Sequence, residues 1–299
     1  MPTRRKIGLI GAGSAGTALT LALHEKGYPI VGIASRTLAS AERCARWVDC
    51  ETFSTDPGEV VRSAEVLFIA TPDGAIREVC ERIAKREGFR EGQIVAHLSG
   101  ALTSDVLEAA RAYGAKVMAL HPMQTFADPQ QGARNLIGSH FSLEGDPGAV
   151  AFGRELVEAF SGRVLMIPKK QKALVHAALC VASNYLVTVV DLAARMLERA
   201  GVEKGEALEA MLPLIRGTVR NLEDIGSPGA LTGPISRGDA ATIAGHLKAM
   251  EELAPEFLDL YRKLGEQTVR LAGEKGGLDQ EGEGAIQRML QEESLKLKA

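Results

Sequence analysis

The stretch Lys6-Ile7-Gly8-Leu9-Ile10-Gly11-Ala12-Gly13-Ser14-Ala15-Gly16 decides how the rest of this 299-residue chain is read. A short apolar run stops at a glycine, and Gly11, Gly13 and Gly16 then stand in G-x-G-x-x-G spacing. An Ala/Leu-rich helical pattern follows, from Thr17 to about Lys26. In that setting Gly11 suits a tight strand-to-helix turn, Gly13 lets backbone approach a pyrophosphate, and Gly16 lets helix and strand pack closely. The free N–H groups at the helix start, around Ser14 and Ala15, favour an anion. The spacing alone is a weak motif. Its place between a strand and a helix is what strengthens it against an ordinary glycine-rich turn.

The next strand reads Tyr28–Ala34 and ends at Ser35-Arg36-Thr37. An acidic residue there would hold a ribose 2′-hydroxyl, whereas an Arg fits a 2′-phosphate. The position holds Ser35 and Arg36, so the cofactor is read as NADP(H), with the guanidinium pairing to the phosphate. A solvated surface charge is the plainer alternative for Arg36.

Three further strands follow, over 64–70, 94–97 and 116–120, with helical patterns between them. The run 64–70 is almost continuously apolar, as a strand buried on both faces should be. This alternation predicts an α/β fold, a doubly wound Rossmann sheet. Each strand end carries polar residues: Thr71-Pro72-Asp73, then His97-Leu98-Ser99, then His121 with Gln124 and Thr125. Such a sheet takes its ligand at the strands' carboxyl ends, so these groups would face one crevice. Loop residues that merely cap the next element are the alternative. The segment 128–139 reads as a polar loop. Strands at 139–144 and 163–167 flank a helix at 148–160, and Pro168 closes a first domain of residues 1–168.

Residues 169–299 read as an all-helical domain. No Pro or Gly interrupts Lys169 to about Arg199, which predicts one helix of about 30 residues. Leu174, Ala178, Val181, Tyr185, Val189, Leu192 and Met196 form its apolar stripe. His176, Cys180, Ser183, Asn184, Thr188 and Asp191 form a second, partly polar one. Polar groups on so apolar a helix need partners, and His176 could equally be a satisfied core histidine. Helices are also expected at 205–222, from near Asp239, at 251–271 and from about Ala285, the last after a glycine- and charge-rich linker at 273–284. The Pro/Gly-rich break at 225–239 carries Arg237 and Asp239. Asp239 could simply cap the next helix, and the two could form an ion pair. Long apolar helix faces suggest a homodimer through this domain.

Composition excludes several classes. A net charge of −3 and 4% aromatic residues do not suit a nucleic-acid partner. The apolar part of the N-terminus is too short for a signal peptide, and no segment is read as approaching the ~20 apolar residues of a membrane span. The four cysteines show no C-x-x-C pair, which points to free thiols in the cytoplasm. The six histidines are scattered without metal-ligand spacing.

Four motifs carry a resemblance that spans both domains: His97-Leu98-Ser99-Gly100, His121-Pro122-Met123-Gln124-Thr125-Phe126, His176 to Leu186, and Leu231-Thr232-Gly233-Pro234-Ile235-Ser236-Arg237-Gly238-Asp239. The chain resembles a bacterial family assigned provisionally as NADP oxidoreductases. In that family a Rossmann-like domain is joined to a helical domain of unknown function. The wider group includes ketopantoate reductase, pyrroline-5-carboxylate reductase, prephenate dehydrogenase and the β-hydroxyacid dehydrogenases, which implies hydride transfer. Ketopantoate reductases carry a catalytic lysine eight residues before an asparagine. That count from Asn184 lands on His176, and their later acidic substrate ligand falls on Asp239. Prephenate dehydrogenases share a His-Pro-Met whose histidine is catalytic, here His121, but not the Gln124-Thr125-Phe126 that follows.

The expected activity is therefore NADPH-dependent reduction of a carbonyl or imine on a small anionic metabolite. His176, or His121, would give the proton, Asn184 and Ser99 would orient the carbonyl, and Arg237 would hold a carboxylate, with Asp239 nearby. Gly11, Gly13, Ser14, Ala15, Gly16, Ser35, Arg36, Thr71, Pro72, His97 and Ser99 would line the cofactor. A prephenate- or arogenate-dehydrogenase-like enzyme and a non-catalytic NADP(H) sensor are the alternatives.

Overall fold

The first apolar run forms β1 (Ile7–Ile10), buried at every residue, and the helix after the glycine turn forms α1 (Ser14–Glu25). The structure, a computed structural model, describes residues 4–86 and 88–291. It divides into two compact units, Met1–Ser183 and Asn184–Ala299.

In the first unit the alternation continues as β2 (Ile30–Ala34), α2 (Leu38–Trp47), β3 (Phe53–Ser54), α3 (Gly58–Ser63), β4 (Val66–Ile69), α4 (Asp73–Lys85) and β5 (Ile94–His97). It goes on through α5 (Glu108–Arg111), β6 (Lys116–Pro122), α6 (Pro129–Asn135), β7 (His140–Gly145), α7 (Pro147–Ala159) and β8 (Arg163–Met166). The strands form one sheet in the order β3-β2-β1-β4-β5-β6-β7-β8, antiparallel only between β6 and β7. The expected doubly wound α/β sheet is thus present. Its order reverses between β1 and β4, where such sheets open a ligand crevice.

Successive residues of the central strands feed opposite cores. Val66 and Phe68 join one cluster with Leu9, Leu19, Met118 and Leu120, while Leu67 and Ile69 join another with Val61, Ile76, Val95 and Val117. Burial on both faces explains why these strands read as unbroken apolar runs. Register then places the polar residues. His97 pairs with Ala119, and Ala119 with Glu144, so these three side chains share one face across three strands. His121, two residues beyond Ala119, projects to the same face.

The first unit runs past Pro168 through a 3₁₀ turn (Lys169–Gln171) and α8 (Lys172–Ala182). The second unit holds α9 (Asn184–Arg199), α10 (Lys204–Ile225), α11 (Ala240–Leu253), α12 (Leu258–Lys275) and α13 (Gln280–Gln291). Its core gathers Ile243, Leu247, Met250, Phe257, Val269 and Ile286.

Several expectations are corrected. The single long helix is interrupted at Ser183, where φ is −116° and ψ −66°. Residues 128–139 are not all loop: Asp128 caps α6 by accepting from the Gln131 N–H at 2.9 Å, and Pro129 occupies the first turn, so the turn residues were helix-start signals. The expected helix at 251–271 breaks at Pro255, which opens a 3₁₀ turn. The expected linker at 273–284 is mostly helical, because Gly276 at φ +78° ends α12 and α13 begins four residues later. Anything beyond Gln291 lies outside the described residues.

The membrane expectation also needs correction. Lys169–Arg199, 31 residues, contains a window of mean hydropathy 1.8 with none of it buried within the chain, so by length and composition it could cross a membrane. Between Ala173 and Val190 only His176, Ser183, Asn184, Tyr185 and Thr188 interrupt Ala, Leu, Val and Cys, so they lower the average little.

Candidate active site

The glycine turn behaves as three different constraints. Gly11 has φ +101°, and a Cβ there would lie 2.6 Å from the Ala70 carbonyl carbon. A Cβ on Gly16 would lie 2.4 Å from the Gly11 oxygen, whereas one on Gly13 would meet nothing within 4 Å. Gly11 and Gly16 are therefore required by the fold, whereas nothing in the chain itself requires a glycine at 13. Gly13 is the N-cap of α1 with no side chain capping the helix, so the first-turn N–H groups of Ser14, Ala15 and Gly16 remain available to an anion.

A cleft of about 880 Å³ extends from this turn, lined among others by Ser35, Arg36, Thr71, Pro72 and Arg82. Ser35 steadies the turn, its Oγ accepting from the Ala12 N–H at 3.4 Å. Arg86 also lines the cleft and is held by Asp56 at 3.3 Å. Among the described residues Arg36 and Arg82 have no partner. Thr71 Oγ1 is buried without a hydrogen bond among the described residues. An uncapped helix start, an orphaned hydroxyl and two free guanidiniums fit a dinucleotide bearing an extra phosphate. Arg82, on α4, was missed in the sequence because nothing in a helical run shows which face meets the cleft.

The loop after β5 is pinned by His97. Its Nδ1 accepts from the Ser99 N–H at 3.1 Å and its Nε2 donates to the Thr103 carbonyl at 3.1 Å. The ring is fully buried, and burial pushes its pKa down to about 4. A neutral imidazole with both nitrogens occupied has none to offer a cofactor or substrate. Ser99 is engaged as well: its Oγ donates to Asp73 Oδ2 at 2.7 Å and accepts from the Ala101 and Leu102 N–H groups at 3.2 and 3.0 Å.

His121 and His176 come together. Their ring centres are 5.8 Å apart at 65°, edge to face. A Cβ on Gly100 would sit 2.4 Å from His176 Cδ2 and 2.7 Å from His121 Nε2. His121 Nδ1 lies 3.0 Å from the Leu98 carbonyl, and His176 Nδ1 lies 3.8 Å from Cys180 Sγ. Burial first, then the Lys172 charge, lowers the His121 pKa.

Lys172 is a second residue that sequence reasoning missed. It is 1% exposed, and its Nζ has no hydrogen-bond partner among the described residues. Burial lowers its pKa, opposed by Glu144 and Asp73. Glu144 is itself occupied, accepting from the Ser104 N–H at 2.6 Å and Ser104 Oγ at 2.9 Å. The ammonium thus sits within electrostatic reach of His97 and His121 without a direct counter-ion. One signal was available: Lys172 precedes His176 by four residues, which puts both on one helix face. A Lys-rich segment instead reads as solvated.

The remaining predicted residues belong to the second unit. Asn184 opens α9 and is exposed, and Arg237 lies in a 3₁₀ turn (Ile235–Arg237). Asp239 caps α11, its Oδ1 accepting from the Thr242 N–H at 3.0 Å and its Oδ2 from Thr242 Oγ1 at 2.7 Å.

Comparison with known proteins places the domain boundary earlier than the two compact units do. Residues 1–122 match the Rossmann-like domain family, and residues 139–268 match the family described as Domain of unknown function (DUF2520). Protein BF3122 from Bacteroides fragilis, described provisionally as an NADP oxidoreductase, is similar at 29% identity with a TM-score of 0.74, over 89% of this chain and 98% of that one. Protein TM1727 from Thermotoga maritima is similar at 21% identity and TM-score 0.69, over 90% and 99%. A pyrroline-5-carboxylate reductase from Coxiella burnetii, at 15% identity and TM-score 0.59 over 96% and 98%, shares the fold. No curated protein matches the chain. The chain thus carries a Rossmann-like domain followed by a segment that matches DUF2520, and it is similar in fold to an NADP oxidoreductase.

Proposed function

We propose that the protein is an NADP(H)-dependent oxidoreductase. Its substrate is a small anionic metabolite with a reducible carbonyl, a 2-oxo or β-keto acid of the ketopantoate kind, or the corresponding imine. One observation carries this reading: two imidazoles and a buried ammonium gather at the β5–β6 end of the sheet whose β1 leads into the glycine cradle.

NADPH held by the Gly11–Gly16 turn, Arg36 and Arg82 supplies a hydride. The substrate oxygen gains negative charge as the carbonyl is reduced. His176 hydrogen-bonds it and passes a proton from Nε2, a contribution of typically ~10²–10⁴-fold. Lys172 adds a positive field in a site poor in water, where charge acts strongly. Ser99 and Asp73 hold the β5 loop beneath the rings. Arg237 is assigned the substrate carboxylate, and Asn184 and Asp239 remain candidate substrate groups of the second unit. Val187 and Leu214, 70% and 71% exposed, mark apolar faces of α9 and α10 that we assign to a homodimer. The four free cysteines agree with a cytoplasmic location.

The test is NADPH oxidation against a panel of 2-oxo acids, β-keto acids and cyclic imines, repeated with His176→Gln. Turnover with at least one class is expected. The variant should lose roughly 10²-fold or more in kcat while NADPH affinity stays constant. Tight NADPH binding with no oxidation by any compound would leave the sensor reading in place.

A further inference from the structure

We propose that Asp56 reads the base of the cofactor, its free carboxylate oxygen accepting a hydrogen bond from the exocyclic amino group of adenine. This rests on the NADP(H) reading above and on no reduction step.

The cleft places the base. With the pyrophosphate at the uncapped start of α1 and the extra phosphate at Arg36, the base, carried by the same ribose, lies beyond β2. In the sheet order β3 is the strand beyond β2, and residues 55–57, just after it, line the cleft. One face of α4 lines it too, through Ala75, Val79, Arg82 and Arg86 at steps of three or four residues. Asp56, Pro57, Arg82 and Arg86 also border a smaller hollow of about 80 Å³. These four residues therefore part the two spaces and form the end wall of the cleft. The base, the terminal group of its half of the cofactor, meets that wall, with Pro57 and Val79 as apolar contacts.

Asp56 is the residue that the phosphates do not explain. A carboxylate weakens a cleft that takes a polyanion, unless it makes a contact of its own. Its Oδ1 is occupied, accepting from the Gly58 N–H and from Arg86 Nη1, both at 3.3 Å. The Arg86 charge also offsets that of the carboxylate. The Asp56 N–H donates to Ser54 Oγ at 2.9 Å, which fixes the residue at the end of β3. Oδ2 has no partner among the described residues. A carboxylate oxygen only accepts, so the group it takes is a donor. The phosphates at this end of the cofactor are acceptors. The ribose 3′-hydroxyl lies between the two phosphates, on the side of the glycine turn. That leaves the adenine amino group for the end wall. Glu78 lines the cleft as well, but no hydrogen bond among the described residues holds its carboxylate, so it is not preorganised for a directional contact.

The experiment measures Kd by calorimetry for NADP⁺ and for its hypoxanthine analogue, in which a carbonyl oxygen replaces the amino group. The wild type, Asp56→Asn and Glu78→Gln are compared. A preference for adenine of about 10-fold or more is expected in the wild type, since a hydrogen bond to a charged group is lost and two acceptors face each other. Asp56→Asn keeps an oxygen for Gly58 and Arg86 and turns a donor nitrogen to the base, so the preference should fall to one or below. Glu78→Gln should leave the ratio as it is. A wild-type ratio near one, a ratio unchanged in Asp56→Asn, or a ratio lost in Glu78→Gln overturns the proposal. If Asp56→Asn does not fold, Asp56→Ala, expected at a ratio near one, decides it. Tight and equal binding of both dinucleotides overturns the proposal and leaves the cofactor reading standing, whereas binding of neither ends both. Turnover plays no part, so a protein that shows the preference and reduces nothing fails the reductase reading alone.

Discussion

His121 and His176 meet edge to face above Gly100, with 5.8 Å between ring centres, and the absence of a Cβ is what lets them meet. Gly100→Ala should force one ring aside. The expected loss in kcat/KM is roughly 10²-fold, the size typical of a misplaced proton-transfer group. NADPH affinity, measured by fluorescence quenching, should change little, because the cradle lies on other loops. Full activity in this variant would mean that the two rings do not act together.

The glycine turn separates fold from ligand. Gly11→Ala and Gly16→Ala place a Cβ within 2.6 and 2.4 Å of backbone atoms, so both should lower Tm sharply. Gly13→Ala meets open space and should leave Tm unchanged while weakening NADPH by roughly 10-fold or more. Thermal melts with and without NADPH separate the two effects.

Arg36 and Arg82 line one cleft, and neither guanidinium has a partner among the described residues. Charge-assisted bonds to phosphate contribute about 1.5–3 kcal/mol each, so each Arg→Ala change should weaken NADPH by roughly 10- to 100-fold. NADH, which lacks the 2′-phosphate, should be far less affected. Competition between 2′,5′-ADP and 5′-AMP provides the check without turnover.

His97 gives an acid signature. Its folded pKa, about 4, lies below its ordinary value near 6.5. As pH falls through 6.5 the unfolded chain takes up the proton first. Stability therefore declines from about pH 6.5 to about pH 4 and is unaffected by this group outside that window, a total of about 3 kcal/mol. His97→Gln should remove nearly one proton from the pH dependence of unfolding in that range, measured by urea titration at several pH values.

Lys172 is a buried ammonium without a direct counter-ion. Lys172→Met should raise stability by about 1 kcal/mol or more, since it removes a desolvated charge at similar volume. It should also lower kcat by about 10-fold or more. The Lys172 charge lowers the His121 pKa, so the His121 titration followed by NMR should move upward in the variant.

The Rossmann half was legible because each of its signals is local. A glycine turn, an apolar run of four residues and a strand-end Arg all act within a few residues of themselves. The helical half was read less well for the same reason. Pro255 and Gly276 set helix ends that periodicity alone had blurred, and Asp128-Pro129 resembles a turn until a helix follows it.

The site divides in the same way. By itself the sequence determined that a tight glycine turn joins the first strand to the first helix, where it lies, and that an Arg follows β2. Those properties follow from backbone geometry at fixed spacing. Only the tertiary structure decided what each polar strand end does. His97, His121 and Ser99 look alike as loop residues, yet His97 is spent on its own loop and Ser99 on Asp73, while His121 keeps a free nitrogen. Lys172 looks solvated until its burial, and its electrostatic effect on His97 and His121, are seen in the fold. Burial and hydrogen-bond partners come from residues distant in the chain, and they set whether a titratable group is structural or free to act.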